Sequence, residues 1–455
     1  MRHLHTARAI VARLHHEGHE AYIVGGWVRD YLLKRPSKDI DIGTSATPDE
    51  VTALFPQHVP IGRKFGVLTV SVDGESFEIS TFRTEQGYGD RRRPDAIRWA
   101  NASDDVKRRD LTINGLLFDP ITNQVIDVVN GQRDLAQRRI RTIGEPSERF
   151  GEDPLRLLRA IRLRNQLQFQ YDSATWEALT QLSGELRHVS SERVAVELNL
   201  MLNGPWRVQA IQDLRASGAL AVLLPELDRL IGVPQPREYH QEGDVFDHTL
   251  RSVSTLAPAV PLFLVWGVLL HDCGKPQTLA MHQVKTHQVI TTYHHAEASA
   301  QIATAVLRRL KFPQTEVRTV EWLIRHHMSL KGIEAMRPAK RERYVLDPRF
   351  PWLLELHRAD ASGTIPKDLS LYHHDLLLHE RLRAYRAQAS QVTPRTLIDG
   401  DGLQTALHLR PGPLIGQLLE QIRSAQLDGS IHTQSEAVAF AQTVISSLPS
   451  LPNTS

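Results

Sequence analysis

The chain has 455 residues, too many for a single hydrophobic core, so it is expected to fold as three or more packed units. Its hydrophobic share of 41%, charged share of 23% and net charge of +2 are ordinary for a soluble globular protein, so any nucleic-acid footprint has to be local rather than global. Cys273 is the one cysteine, which excludes an intrachain disulfide and fits a reducing cytoplasm; the start Met1-Arg2-His3-Leu4-His5 has no signal-peptide core, and the apolar run 261–270 is too short to span a bilayer.

Residues 1–130 alternate strand and helix patterns and read as a small mixed α/β head. After an N-terminal helix, Ala21–Val24 form a short apolar strand leading into Gly25-Gly26-Trp27-Val28-Arg29-Asp30. The glycine pair opens a turn that lets backbone approach a triphosphate closely. Asp39-Ile40-Asp41-Ile42 follows, and period-2 alternation points Asp39 and Asp41 to one face and the isoleucines to the core. Two carboxylates on one face can share hard Mg2+ ions that clamp attacking and leaving phosphate oxygens. The bland alternative is a surface strand with two solvated aspartates; the preceding Gly-Gly argues against it. Thr47-Pro48-Asp49-Glu50 is a capping box with proline at the first helical position.

Residues 67–72 and 76–81 flank Asp73-Gly74-Glu75 and predict a hairpin. On its second strand Phe77 and Ile79 share one face and Glu78 takes the other, where a sheet can bring it beside the aspartates as a third acid; on spacing alone, one exposed polar position explains it equally well. Residues 83–94 form a Gly-rich, basic loop suited to gripping a triphosphate and an RNA end, or serving as a solvated crossover. Arg108, Arg109, Asp110 and Asn114 then open an apolar stretch, 111–117, read as helical, which sets Asp110 and Asn114 one turn apart. Arg109 can neutralise phosphate while Asp110 and Asn114 hydrogen-bond a ribose hydroxyl.

From about residue 130 strand signals fade and helical periodicity continues to the end. Residues 131–235 read as a helical neck and body. Glu152-Asp153-Pro154-Leu155-Arg156 starts a helix at Pro154 with Leu155, Leu158 and Ile161 as its buried stripe. Asp153 and Arg156 are neighbours on it. Cytosine and adenine each offer an exocyclic amine beside a ring-nitrogen acceptor, so a carboxylate and a guanidinium match both. Uracil and guanine present the opposite pattern and would leave buried groups unpaired, at about 1–3 kcal/mol each. The plain alternative makes Asp153 an N-cap and Arg156 a surface ion-pair partner. Arg159, Arg162 and Arg164 continue a basic face.

Residues 236–370 are rich in histidine. His271-Asp272 ends the apolar run 261–270 and precedes the stop signals Gly274 and Pro276; His248 lies upstream and Asp360 downstream. His, His-Asp and Asp on separate helices can converge on a divalent ion that activates water, with His295 and His326 or His327 completing a second position. The other such dipeptide, His374-Asp375, reads as helix surface. Residues 371–455 form a helical tail: Leu414, Ile415, Leu418, Leu419 and Ile422 make an amphipathic stripe, Thr433 and Glu436 a capping box, and the last ten residues a frayed end.

Gly25-Gly26-x-x-Arg29-Asp30, Asp39-x-Asp41, Arg108-Arg109-Asp110 and Glu152-Asp153-x-x-Arg156 stand in the order found in class II CCA-adding tRNA nucleotidyltransferases and bacterial poly(A) polymerases, which the chain resembles over most of its length. The resemblance extends to an HD-type phosphohydrolase region around His248, His271, Asp272 and Asp360. It implies an α+β enzyme that adds C and A to tRNA 3′ ends from CTP and ATP with Mg2+ on Asp39 and Asp41, beside which Glu78 is the candidate third catalytic acid. Gly25, Gly26, Arg29, Arg109, Asp110, Asn114, Asp153, Arg156, Arg159 and Arg162 would then line the nucleotide. Loop 83–94 matches the family's flexible loop, which argues against C-only addition. A-only and poly(A) addition stay open, as does a phosphohydrolase whose head merely binds nucleotide.

Overall fold

The computed structural model describes residues 2–37, 39–59, 66–87, 96–236, 238, 240–284, 287–333, 335–389, 396–427 and 429–447. Loop residues 88–94 and tail residues 448–455, both singled out in the sequence, lie outside these. The chain divides into two compact units, one of Met1–Val233, Leu256–Val265 and Ala305–Gln314, the other of Pro234–Thr255, Trp266–Thr304 and Thr315–Ser455.

In the first unit, α1 (Arg2–His16) packs Ala7, Ile10, Val11 and Leu14, all buried, against a seven-stranded sheet. The sheet is built from β1 (Ala21–Val24), β2 (Asp41–Thr44), β3 (His58–Val59), β4 (Val67–Val72), β5 (Glu75–Thr81), β8 (Leu116–Asp119) and β9 (Gln124–Asp127) in the order β3-β4-β5-β2-β1-β8-β9. Every neighbouring pair is antiparallel except β2 and β5, which run parallel. Between β5 and β8 the chain makes the small antiparallel pair β6 (Arg83–Gln86) and β7 (Ala96–Trp99). Asp73 and Gly74, both at positive φ, close the β4–β5 hairpin as a two-residue turn. Gly25 adopts φ 74° and ψ −137°, a backbone state open to glycine, and turns β1 into α2 (Gly26–Leu32). The capping box forms as expected: Thr47 and Glu50 cap α3 (Pro48–Leu54) reciprocally.

The stretch 111–117 is not a helix. The helix α4 (Ala102–Lys107) ends before it, Thr112–Asn114 make a single 3-10 turn, and Leu116 and Leu117 belong to β8. Branched Thr112 and Ile113, followed by Gly115, favour that break, and pairing with β1 and β9 claims the apolar residues for the sheet. Beyond residue 130 helices dominate, among them α5 (Gly131–Ala136), α6 (Pro146–Glu152), α7 (Leu155–Leu167), α8 (Ser173–Leu182) and α9 (Ser191–Leu202). Pro154 is the N-cap of α7, and Leu155, Leu158 and Ile161 are buried.

Among the described residues the second unit is helical apart from the antiparallel pair Ala280–Val284 and His287–Thr291, which the sequence did not suggest. Asp375 is fully buried, so the segment read as helix surface packs inward at that position. In the tail, Ile415, Leu418 and Ile422 lie in a small core with Leu403, Ala437 and Ala441. The helix Gln434–Ser447 carries order past Ser446, where fraying was expected to begin.

Candidate active site

Asp41 opens β2, and the parallel register places it directly opposite Glu78 on β5. Asp39 precedes the strand, yet the alternation holds: Asp39, Asp41 and Glu78 are exposed while Ile40, Ile42, Phe77 and Ile79 are buried. Although the residue as a whole is exposed, partial desolvation of its carboxyl by surrounding atoms, with the charges of Glu78 and Asp39, pushes Asp41 up to about 6 against the opposing pull of Arg109. Carboxylates crowded enough to raise the pKa of Asp41 make a strong cation cradle, because an ion relieves the repulsion among them.

Arg109 spans this cradle and the glycine turn. Its Nη1 lies 3.5 Å from where a Cβ on Gly25 would stand. The guanidinium is held from behind by Asp105, 1% exposed, whose Oδ2 accepts from Nε at 3.2 Å and from Nη2 at 2.9 Å. Oδ1 of the same residue accepts from Arg108 and from the Arg83 amide. Asp105 was missed in the sequence, although an acid four residues before Arg109 is a spacing at which the two can pair, here from α4 to the turn just past its end.

A second chain of hydrogen bonds ties the glycine turn to α7. Arg29, 7% exposed, donates Nε and Nη2 to Asp30 and Nη1 to Asn114 Oδ1 at 2.7 Å. Asn114 Nδ2 donates to Asp110 Oδ1, and Asp110 Oδ2 accepts from Arg159 Nε at 2.7 Å. Arg29 thus holds Asn114 rather than pointing at solvent. Asp110 and Asn114 meet as expected, through a 3-10 turn instead of a helix. Burial opposes charge on Asp110, but Arg159, Asn114 and the Leu111 amide outweigh it and hold the carboxyl far below the usual carboxylate range. The sign follows: the ionised form stabilises the fold above pH 4, and that contribution drains away as acid protonates it. Asp110→Asn is expected to lower the urea midpoint at pH 6, with the gap between wild type and variant narrowing progressively as the pH falls below 4.

Asp153 and Arg156 do not pair with each other. Arg156 Nη1 donates to Glu152 at 2.5 Å and to the Arg149 carbonyl, while Nη2 donates to the Arg108 carbonyl. Asp153 stands one residue before the N-cap Pro154, so it is not the N-cap itself; its carboxylate accepts from the Leu155 amide and from both Nη atoms of Arg193 on α9. The basic face expected along α7 is largely taken up within the protein: Arg162 donates to Glu197, Arg164 lies against Asn165 and Asp213, and Arg159 serves Asp110 while 39% exposed.

The second unit holds a separate cluster. His248 comes from the helix Val245–Ser254, His271-Asp272 from the end of Leu262–Leu270, His295 from the start of His295–Arg309, His327 from just beyond Gln314–His326, and Asp360 from Phe350–Gly363. Two sets of ligand atoms, His248-His271-Asp360 and Asp272-His295-His327, each lie within 4.8 Å of one another. His271, His295 and His327 donate Nδ1–H to the carbonyls of Val268, Thr292 and Ile324, and His248 Nδ1 is bound to Glu242 Oε1 at 2.9 Å. At His295 and His327 those bonds fix the tautomers and leave each Nε2 as a lone pair aimed inward, whereas His248 Nε2 donates to Asp360 Oδ1 at 2.8 Å. Nε2 of His295 faces Nε2 of His327 at 3.2 Å, and Nε2 of His271 is buried with no well-formed hydrogen bond. Facing lone pairs fit a cation and little else, so the residues suit a divalent metal.

His326, expected as a candidate ligand, does not join this group: its Nδ1 donates to the Trp322 carbonyl and its ring lies tilted against Trp322 with centroids 4.6 Å apart. Burial works against charge on His271, but Asp272 and Asp360 outweigh it and lift the imidazole to about 10; burial and the neighbouring histidines press His327 down to about 3. A cavity of about 580 Å³ opens onto the cluster, lined also by Gln235, Lys275 and Thr364. Lys275 Nζ sits 2.7 Å from Asp272 Oδ2.

Three family models match the chain: the Poly A polymerase head domain over 21–141, the "Probable RNA and SrmB- binding site of polymerase A" over 168–231, and the HD domain over 245–361. A CCA-adding enzyme of Bacillus cereus is 40% identical over 442 residues, 96% of this chain and 98% of that one. The chain belongs to the CCA-adding enzyme family. Other CCA-adding enzymes align over less: the chain spans about half the length of those of Staphylococcus saprophyticus (42% identity, 46% of this chain, 53% of that one) and Bacillus cytotoxicus (43%, 47% and 54%). Among solved structures, the Bacillus stearothermophilus CCA-adding enzyme in complex with CTP superposes with a TM-score of 0.68 at 25% identity, covering 97% of this chain and 98% of that one. The Thermotoga maritima CCA-adding enzyme complexed with tRNA_CCA shares the fold, with a TM-score of 0.56, 19% identity and coverage of 96% and 94%. The α+β organisation expected of a CCA-adding enzyme is the one observed.

Proposed function

We propose that this chain adds C and A to tRNA 3′ ends, taking CTP and ATP and using no nucleic-acid template. The observation that carries the reading is the register pairing Asp41 with Glu78, which gathers three acids on one exposed face beside Arg109 and the Gly25 turn. Asp39, Asp41 and Glu78 would hold divalent cations, Mg2+ in our reading, which when bound neutralise triphosphate charge and orient it for in-line attack. The terminal ribose hydroxyl of the RNA loses its proton to solvent as its oxygen bonds to the α-phosphorus, and the bond from that phosphorus to pyrophosphate breaks. Arg109 and the backbone of Gly25 and Gly26 grip the phosphates, Asp110 and Asn114 the ribose. Asp153 accepts the exocyclic amine that C and A share, and Arg156 serves the ring nitrogen, using donor capacity beyond its bonds to Glu152 and the carbonyls. The names of the full-length relatives favour C and A together over A alone.

We divide the work as head 1–130, neck and body 131–235, HD domain 236–370 and tail 371–455. The substrates argue for the cytoplasm, and among the described residues no helix is long and apolar enough to cross a membrane. A second reading, phosphoester hydrolysis by the HD domain, rests on the inward-facing Nε2 atoms. His248, His271, Asp272, His295, His327 and Asp360 would hold one or two divalent ions, which when bound lower the pKa of a water. The main test offers tRNAs ending before, within and after CCA, with CTP and ATP supplied separately. Stepwise completion that stops at the terminal A is expected; A-runs on unrelated RNAs would overturn the assignment.

A further inference from the structure

We propose that Arg193 is a positioning residue that sets Asp153 for base discrimination, an inference resting on the base-reading role given to Asp153 above. Arg193 stands on α9, 40 residues from its target, and approaches as a planar fork: Nη1 donates to Asp153 Oδ1 at 3.1 Å and Nη2 to Oδ2 at 2.7 Å. The two side chains are 24% and 15% exposed, so the pair is largely shielded from water. One turn along α9, Glu197 accepts from Arg162 Nε at 2.6 Å, which pins the same helix to α7 at a second point.

The consequence for recognition is geometric. An aspartate carboxylate turns freely about its last torsion, whose preference is broad. A carboxylate free to turn would swing its lone pairs away from a base that presents a carbonyl oxygen, and so would escape the penalty that rejects uracil and guanine. A bidentate guanidinium fixes the plane. It also distributes the acceptor sites: Oδ1 takes bonds from Arg193 and the Leu155 amide, whereas Oδ2 takes one, from Arg193, and retains a lone pair for an incoming amine. A locked acceptor cannot accommodate the wrong edge, so the clamp converts a contact that welcomes C and A into one that also refuses U and G.

Lysine keeps the charge and most of the stem but not the fork, so Arg193→Lys is the decisive variant, with Arg193→Ala beside it. With full-length protein and tRNA lacking its CCA end, kcat/KM for CTP and for UTP is measured together with KM for the tRNA and the melting temperature. Arg193→Lys is expected to melt near wild type and to lose about tenfold or more of its CTP-over-UTP preference, through faster UTP use and with tRNA KM unchanged. Equal losses for both nucleotides, or a raised tRNA KM with the preference intact, would overturn the proposal and leave Arg193 a helix tie or an RNA contact. Asp153→Ala separates the layers. If it abolishes the preference while Arg193→Lys does not, the clamp alone is wrong; if it leaves the preference intact, the base-reading role falls and the clamp with it.

Discussion

Asp41→Ala should lower nucleotide addition at least a thousandfold, about 4 kcal/mol of transition-state stabilisation, while the protein stays folded. The carboxylate lies beside Glu78 in the sheet register and interacts with Asp39, so its loss removes a shared cation ligand, not a remote contact. Single-turnover incorporation of CTP on tRNA lacking its CCA end gives the measurement, and residual activity within tenfold of wild type would refute the assignment. The pH behaviour adds an independent check. The carboxyl titrates at about 6, above its unfolded value, so its contribution to the metal-free fold is full below pH 4 and lost as pH climbs through 6. In EDTA at pH 7.5 the alanine variant is therefore expected to melt no lower than wild type. Mg2+ must displace the proton below pH 6, and its affinity there should fall by about tenfold per pH unit in wild type.

Asp272→Ala should do the reverse. This residue is 1% exposed, lies 3.2 Å from His271 Nε2 and 3.5 Å from His295 Nε2, and so touches both sets of ligand atoms. Without it, binding of Mn2+ or Ni2+ to the HD domain is expected to weaken by about a hundredfold or more in calorimetry. Hydrolysis of 2′,3′-cyclic nucleotides should disappear, and tRNA end addition should remain within about twofold of wild type. Loss of both activities in either variant, with normal melting, would mean that two independent centres are the wrong description.

How far these centres could be read in advance depended on the range of the interaction. Asp39 and Asp41 were legible because a strand's period of two operates between adjacent residues. Glu78 was legible as a strand position, but its place opposite Asp41 was not, because the order β4-β5-β2 joins segments that local pattern cannot connect. The same limit hid Arg193, whose partner lies 40 residues away, and it made 111–117 look helical when the run's true partners were β1 and β9. A short apolar run carries no period of its own. His326 and His327 could not be told apart because adjacent residues at a helix end differ only in which way they turn; packing against Trp322 claims the first. The antiparallel pairing of Ala280–Val284 with His287–Thr291 was missed because polar and apolar residues mix there without clear alternation.

The lone parallel pairing in the head sheet makes folding accuracy and chemistry inseparable. Were β5 to slide by one residue along β2, Phe77 or Ile79 would stand where Glu78 does, and the acid would be driven into the interior. A misthreaded head would lose a catalytic ligand and expose large hydrophobes in a single step. Such molecules would therefore be the ones that quality-control proteases remove first, leaving a working pool enriched in correctly aligned sheets.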